Sequence, residues 1–109
     1  MTRDEILEYP YSGTITRVVE DDDKDTVVTI YDGEMDEHQT TDSEGRLLQT
    51  ASYIISIPLK KDTDNNWIVP RKGDEIELLR YGETIKFVVD NAEPSQLGGV
   101  SVYSTRKSW

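Results

Sequence analysis

Cysteine is absent from this 109-residue chain, which removes disulfides, CxxC metal or redox pairs and thiol nucleophiles, so packing alone must hold the fold. Such a chain suits a reducing compartment. Histidine occurs once, at His38, and a Ser-His-Asp arrangement would rest on that side chain in a polar segment with no evident orienting partner. Basic residues are scarce, 12 against 22 acidic for a formal net charge of -10, and that balance opposes nonspecific phosphate binding. An acidic surface serves solubility without any special partner. No apolar run approaches the roughly 18 residues of a membrane span, and the opening residues lack the n-region and h-region of a secretory leader. The expectation is a soluble, unprocessed chain with no membrane contact. Gly98-Gly99 is not followed by a helical pattern, so no phosphate-cradling loop is predicted.

Beyond Tyr9 no segment holds a helical period. Thr2-Arg3-Asp4-Glu5 could form a capping box and Pro10 allows at most two turns. Ile6, Leu7 and Tyr9 could equally belong to an extended arm, so residues 1–12 are read as an arm or short helix and 13–109 as one β-domain. From Gly13 the period becomes two. Thr14 to Val19 and Thr26 to Tyr31 are rich in β-branched residues and flank the acidic turn Asp21-Asp22-Asp23-Lys24-Asp25, which predicts a hairpin. Gly33 marks a bulge or strand end.

Glu37 to Arg46 is the longest polar segment and is read as a loop, the first place to look for function. The next strand is the clearest, with Ala51, Tyr53, Ile55, Ile57 and Leu59 on one apolar face. Pro58 lacks an amide, so that end lies at a sheet edge or leaves the sheet. After the turn Pro70-Arg71-Lys72-Gly73-Asp74, strands are expected over Glu75 to Arg80, Thr84 to Asp90 and Val100 to Thr105, with a loop from Asn91 to Gly99. Apolar residues make up 35% of the chain, so the core is thin and a partner could complete some apolar surface. The expected fold is all-β, an antiparallel six-stranded meander closed as a small barrel or folded as a sandwich, with a long polar loop between strands 2 and 3.

Candidate sites are few. Asp62, Asp64 and Asn66 open like a calcium loop, but Trp67 stands where Gly is needed and Gly73 where a bidentate Glu is needed. Glu34, Asp36, Glu37 and His38 could offer metal ligands, although an acidic loop cluster is more often solvated. No metal, cofactor or catalytic residue is assigned. Tyr53, Tyr81, Phe87 and Tyr103 fall on or beside strands, where packing is their expected role. Trp109, after Arg106-Lys107-Ser108, is either a frayed end or an anchor buried by a partner.

One resemblance extends over Gly13 to Lys107. The hairpin, the long polar loop, the strand preceded by Leu48-Gln49-Thr50 and containing Tyr53, then Lys72-Gly73-Asp74-Glu75-Ile76, the turn Arg80-Tyr81-Gly82-Glu83, Ile85 with Phe87 and a short last strand are similar to the head-closure proteins (stoppers, head-tail connectors) of tailed bacteriophages. The resemblance implies a β-barrel subunit of the virion, made in the bacterial cytoplasm and not an enzyme. Copies would assemble as a ring beneath the portal and adaptor, close the head and dock the tail. DNA would pass through the channel without specific binding. By position the family's channel loop corresponds to Glu37 to Leu48, which assigns that role to Glu37, His38, Gln39, Thr40, Thr41, Asp42, Ser43, Glu44, Gly45 and Arg46. This loop is polar, unlike an apolar plug. The rival reading is a small β-barrel module that recognises a peptide or partner through an edge strand. An enzyme with His38 as base is a third.

Overall fold

The computed structural model describes residues 9–39, 52–94 and 98–107. They form six strands: β1 (Tyr11–Asp21), β2 (Lys24–Gln39), β3 (Ser52–Pro58), β4 (Glu75–Arg80), β5 (Glu83–Pro94) and β6 (Gly99–Arg106). Every pairing is antiparallel, and the strands close a barrel in the order β1-β2-β3-β6-β5-β4. The fold is therefore an all-β six-stranded barrel. It is not a simple meander, because β3 pairs with β6 and the chain then crosses to β4, which pairs with β1.

Alternation builds the core. Tyr53, Ile55 and Ile57 of β3, Ile76 and Leu78 of β4, Ile85, Phe87 and Val89 of β5, and Val100 and Val102 of β6 are buried together with Ile15, Tyr31 and Met35. In each strand these residues share one parity, so one face of the pleat is apolar and the barrel's inside is filled with side chains. Tyr53 and Phe87 meet edge to face with ring centroids 5.2 Å apart. Gly13 is required by close approach, since a Cβ there would lie 2.3 Å from the Glu77 carbonyl oxygen and 2.8 Å from the Met35 sulfur.

Several boundaries differ from the sequence reading. β1 begins at Tyr11, so Tyr11 and Ser12 belong to the barrel and not to the arm; residues 1–8 lie outside the described part. β2 runs to Gln39, with Glu37, His38 and Gln39 paired to Ile55, Ile54 and Tyr53, so these three are strand residues and not loop residues. Their polarity disguised a strand in which only alternate positions face the core. β5 extends to Pro94, paired with Val100, so Asn91 to Pro94 are ladder residues too. The β2 bulge falls at Ile30, between the pairs Ile15–Tyr31 and Thr16–Thr29, and not at Gly33. Pro58 is the last ladder residue of β3, opposite Gly99, and the chain leaves the sheet there.

The two-residue hairpin turns use positive φ. Asp22 (φ 56°) lies in the two-residue turn between β1 and β2, while Tyr81 (φ 51°) and Gly82 (φ 81°) join β4 to β5. At Tyr81-Gly82, positive φ at both central residues is the type I′ hairpin pattern.

β1 and β2 reach beyond the barrel as a ribbon. The β1–β4 ladder ends at Thr16–Glu75, and the β2–β3 ladder starts only at Asp36–Ser56. Between those limits, Arg17 to Asp21 and Lys24 to Val28 are laddered only to each other. The projecting part is about 17 Å long at the usual strand rise.

Candidate functional site

Three features surround the packed interior: an ion pair closing each end of the barrel, and the ribbon with the segment beside it.

At the end where β2 stops, Glu37 follows the inward parity of Met35 and Arg80 that of Ile76 and Leu78. The two side chains form a salt bridge, with Glu37 8% and Arg80 29% exposed. On the outer face His38 Nε2 lies 3.0 Å from Asp36 Oδ2. Tyr11 and Tyr81 stack edge to face at 5.9 Å nearby, and hydrogen bonding with Tyr81, with a smaller effect of desolvation, raises the Tyr11 phenol above its ordinary range. Tyr81 is 88% exposed despite its left-handed backbone. Tyr9 packs toward Gly99, whose Cβ would lie 3.0 Å from the Tyr9 hydroxyl. Burial, then the charges of Asp36 and Glu34, raises the Tyr9 phenol.

At the ribbon end, Arg17 continues the inward parity of Ile15 and meets Asp74 in a two-pronged ion pair. Its Nε donates to Oδ1 at 3.0 Å and its Nη2 to Oδ2 at 2.8 Å. Asp74 is almost fully buried and also accepts the Arg71 amide at 2.8 Å. The Gly73 amide donates to the Val89 carbonyl and the Val89 amide to the Asp74 carbonyl, which fixes the turn before β4. The bond to Asp74 raises the Arg17 guanidinium further above its already high range. Near the middle of β2, the Tyr31 hydroxyl donates to the Glu34 carbonyl at 2.6 Å. Burial first, then the Glu34 carboxylate, pushes its phenol up to about 12.

The ribbon exposes apolar side chains on both faces. Val18 and Val27 pair on one face, with Val19 and Val28 on the other, and they are 55%, 64%, 40% and 38% exposed. Beside its base runs the β3–β4 connection, residues 59–74. Lys61 there bridges to Trp67 and places its ammonium 4.7 Å from the indole centre. Trp67 itself is 54% exposed. Between ribbon and connection lies an open cleft of about 380 Å³, lined by Arg17, Thr29, Ile30, Trp67, Ile68 and Arg71 among others.

The residues singled out in the sequence are thus dispersed. Glu37 faces in while Asp36 and His38 face out, so the four proposed ligands Glu34, Asp36, Glu37 and His38 do not converge, and among the described residues no cluster of three or more potential metal ligands occurs. The Asp62 carboxylate accepts the amides of Asp64 and Asn66 at 2.9 and 3.0 Å, a turn of the chain on itself. Thr40, Thr41, Asp42, Ser43, Glu44, Gly45, Arg46 and Trp109 lie outside the described residues, as does Leu48-Gln49-Thr50. Sequence reasoning missed Arg17 and Arg80. Their signal was a charge at an inward position of a strand, which demands a buried partner. In comparison with known proteins, the chain matches no family model and no curated sequence.

Proposed function

We propose that this chain is a structural, non-enzymatic subunit of a phage or prophage head-tail connector. Copies assemble as a ring below the portal and adaptor, close the DNA-filled head and dock the tail. The observation that carries this reading is the division between inside and outside. The barrel interior is filled by its own side chains and each end carries an Arg–carboxylate pair, whereas valines are exposed on both faces of a ribbon laddered only to itself. A ribbon of two strands is marginal in water, and exposed apolar area of this kind fits contact with protein. The order of hairpin, polar segment, crossover and final strands supports the connector setting, and an acidic channel wall would let DNA slide without sticking. The segment from Thr40 to Arg46 is the proposed channel loop; it follows shortly after Glu37, which pairs with Arg80. Cryo-electron microscopy of particles tests the reading. Density for this chain in a ring at the head-tail junction is expected, and a junction without it rejects the proposal.

A second reading is favoured by one observation. The outer edge of β2 from Lys24 to Met35 has no ladder partner among the described residues, and such an edge can accept an added strand. In that case the protein is a module that binds an extended peptide, and titration with peptides of alternating apolar sequence would perturb amides of residues 24–35 in NMR spectra.

A further inference from the structure

The ribbon and the connection beside it carry opposite charge. Around the ribbon tip stand Glu20, Asp21, Asp22, Asp23 and Asp25 against Lys24 alone. The connection bears Lys60, Lys61, Arg71 and Lys72 within 13 residues, a third of all the basic residues of a chain that carries 12. Asp62, Asp64 and Asp74 oppose them there, but the Asp62 carboxylate is engaged by its own turn and the Asp74 carboxylate by Arg17. Lys60 and Lys61 lie over the rings of Tyr31 and Trp67. Among the described residues no carboxylate pairs with the side chain of Arg71 or Lys72. The same connection offers apolar surface in Trp67 and Ile68 beside the open cleft.

We infer that the occupant of this cleft and ledge is the β1–β2 ribbon of a second copy of the chain. Val18 and Val27 of one copy pack toward Trp67 and Ile68 of the next, and the acidic tip meets Arg71, Lys72 and Lys61. Two ribbons cannot pair edge to edge in comfort, because both tips are acidic and like charges brought together oppose association. Ribbon and ledge are different patches, so the contact is head to tail and repeats from subunit to subunit, as a ring requires. Trp67, exposed and flanked by cations, is the aromatic anchor of such an interface. The inference deepens the connector reading and rests on it for its setting, but the contact can be tested without particles.

The absence of cysteine makes the test clean. Val27→Cys and Asn66→Cys place single thiols on the exposed ribbon and at the cleft rim, both at positions whose side chains lie outside the core. Mixed under oxidising conditions, the two variants should give the V27C–N66C heterodimer in clear excess over either homodimer. The double variant should give a ladder beyond dimer. Reversing charge with Asp22→Lys and Asp23→Lys on the ribbon partner, or with Arg71→Glu and Lys72→Glu on the ledge partner, should lower the heterodimer yield by roughly tenfold. Combining the two reversed partners should restore it, a rescue that a general loss of folding cannot imitate. Statistical crosslinking, a double variant that stops at dimer, or yields indifferent to charge reversal would each overturn the inference. The outcomes separate it from the connector reading. Crosslinking with rescue, but no density at the junction, keeps the contact and removes the phage setting. A ring at the junction with ribbons apart from ledges does the reverse.

Discussion

Arg17 and Asp74, 57 positions apart in sequence, close the ribbon end of the barrel with two nearly parallel bonds of 3.0 and 2.8 Å. The pair joins the base of the projecting ribbon to the turn that starts β4. It therefore fixes the ribbon's exit from the barrel as well as sealing apolar surface beneath it. Glu37 and Arg80 perform the equivalent closure at the opposite end.

Asp74→Ala should strip the guanidinium of its partner and free the Arg71 amide. Loss of a buried partner costs about 3–5 kcal/mol, and Arg17 keeps some contact with water, so a loss of about 2–3 kcal/mol is expected. Urea denaturation followed by circular dichroism measures it, and a midpoint within error of the parent would show that the pair is not stabilising.

The turn at Tyr81-Gly82 should respond in opposite directions to two substitutions. Tyr81→Asn relieves a left-handed backbone and should stabilise by about 0.5 kcal/mol after the weak contact with Tyr11 is lost. Gly82→Ala imposes a Cβ at φ 81° and should destabilise by about 1 kcal/mol or more. Thermal melts of the two variants give the signs directly.

Gly13→Ala should open the seam between β1 and β4. The added methyl meets backbone oxygen at 2.3 Å, which only strand displacement relieves, and overpacking of this kind costs about 1–3 kcal/mol. Amide exchange should accelerate in Ile76 to Leu79 before it does in β3.

Alkaline pH should weaken the fold through Tyr31. Its folded phenol titrates at about 12, above the ordinary value near 10. The folded state thus holds this proton more tightly than the unfolded chain does. Its contribution is complete below about pH 10 and is lost as pH rises toward 12. Tyrosinate absorbance should show a late-titrating phenol that vanishes in Tyr31→Phe, and the melting temperature of that variant should depend less on pH across the same window.

Replacing Thr40 to Arg46 by a Gly-Ser linker should leave the melting temperature nearly unchanged, since such a change alters closure entropy by about 1 kcal/mol or less. Extending the replacement back to Glu37 should cost a further 2 kcal/mol or so, because Arg80 then loses its partner. In particles, the shorter replacement should package DNA but leak it or fail to join tails. Normal infectivity would remove the channel role from this segment.

The strands themselves were readable because alternation is local. Ile55 and Ile57, Ile76 and Leu78, and Ile85, Phe87 and Val89 announce their inward faces within a few residues of one another. The pairing of β3 with β6 was not readable, since nothing local distinguishes it from pairing with β4. Glu37 passed for a loop residue because its reason for being inside, Arg80, stands 43 positions away. Asp74 does close the turn expected of it, its amide donating to the Arg71 carbonyl, but the partner of its carboxylate, Arg17, stands 57 positions away. Long-range charge pairs leave only a trace in sequence, the misplaced parity of Arg17 and Arg80, and that trace points to a partner without naming it.

The crossover has a consequence during synthesis. β1 and β2 can pair as soon as they leave the ribosome, but β3 meets its second neighbour only through contacts such as Ser52–Thr105 and Ile55–Val102. About fifty residues must be translated, a few seconds at bacterial elongation rates, while the most apolar strand waits with one edge unprotected. Nascent chains are therefore most prone to aggregation in that interval, and a stall downstream of β3 should recruit chaperones in a way that a stall after β6 does not.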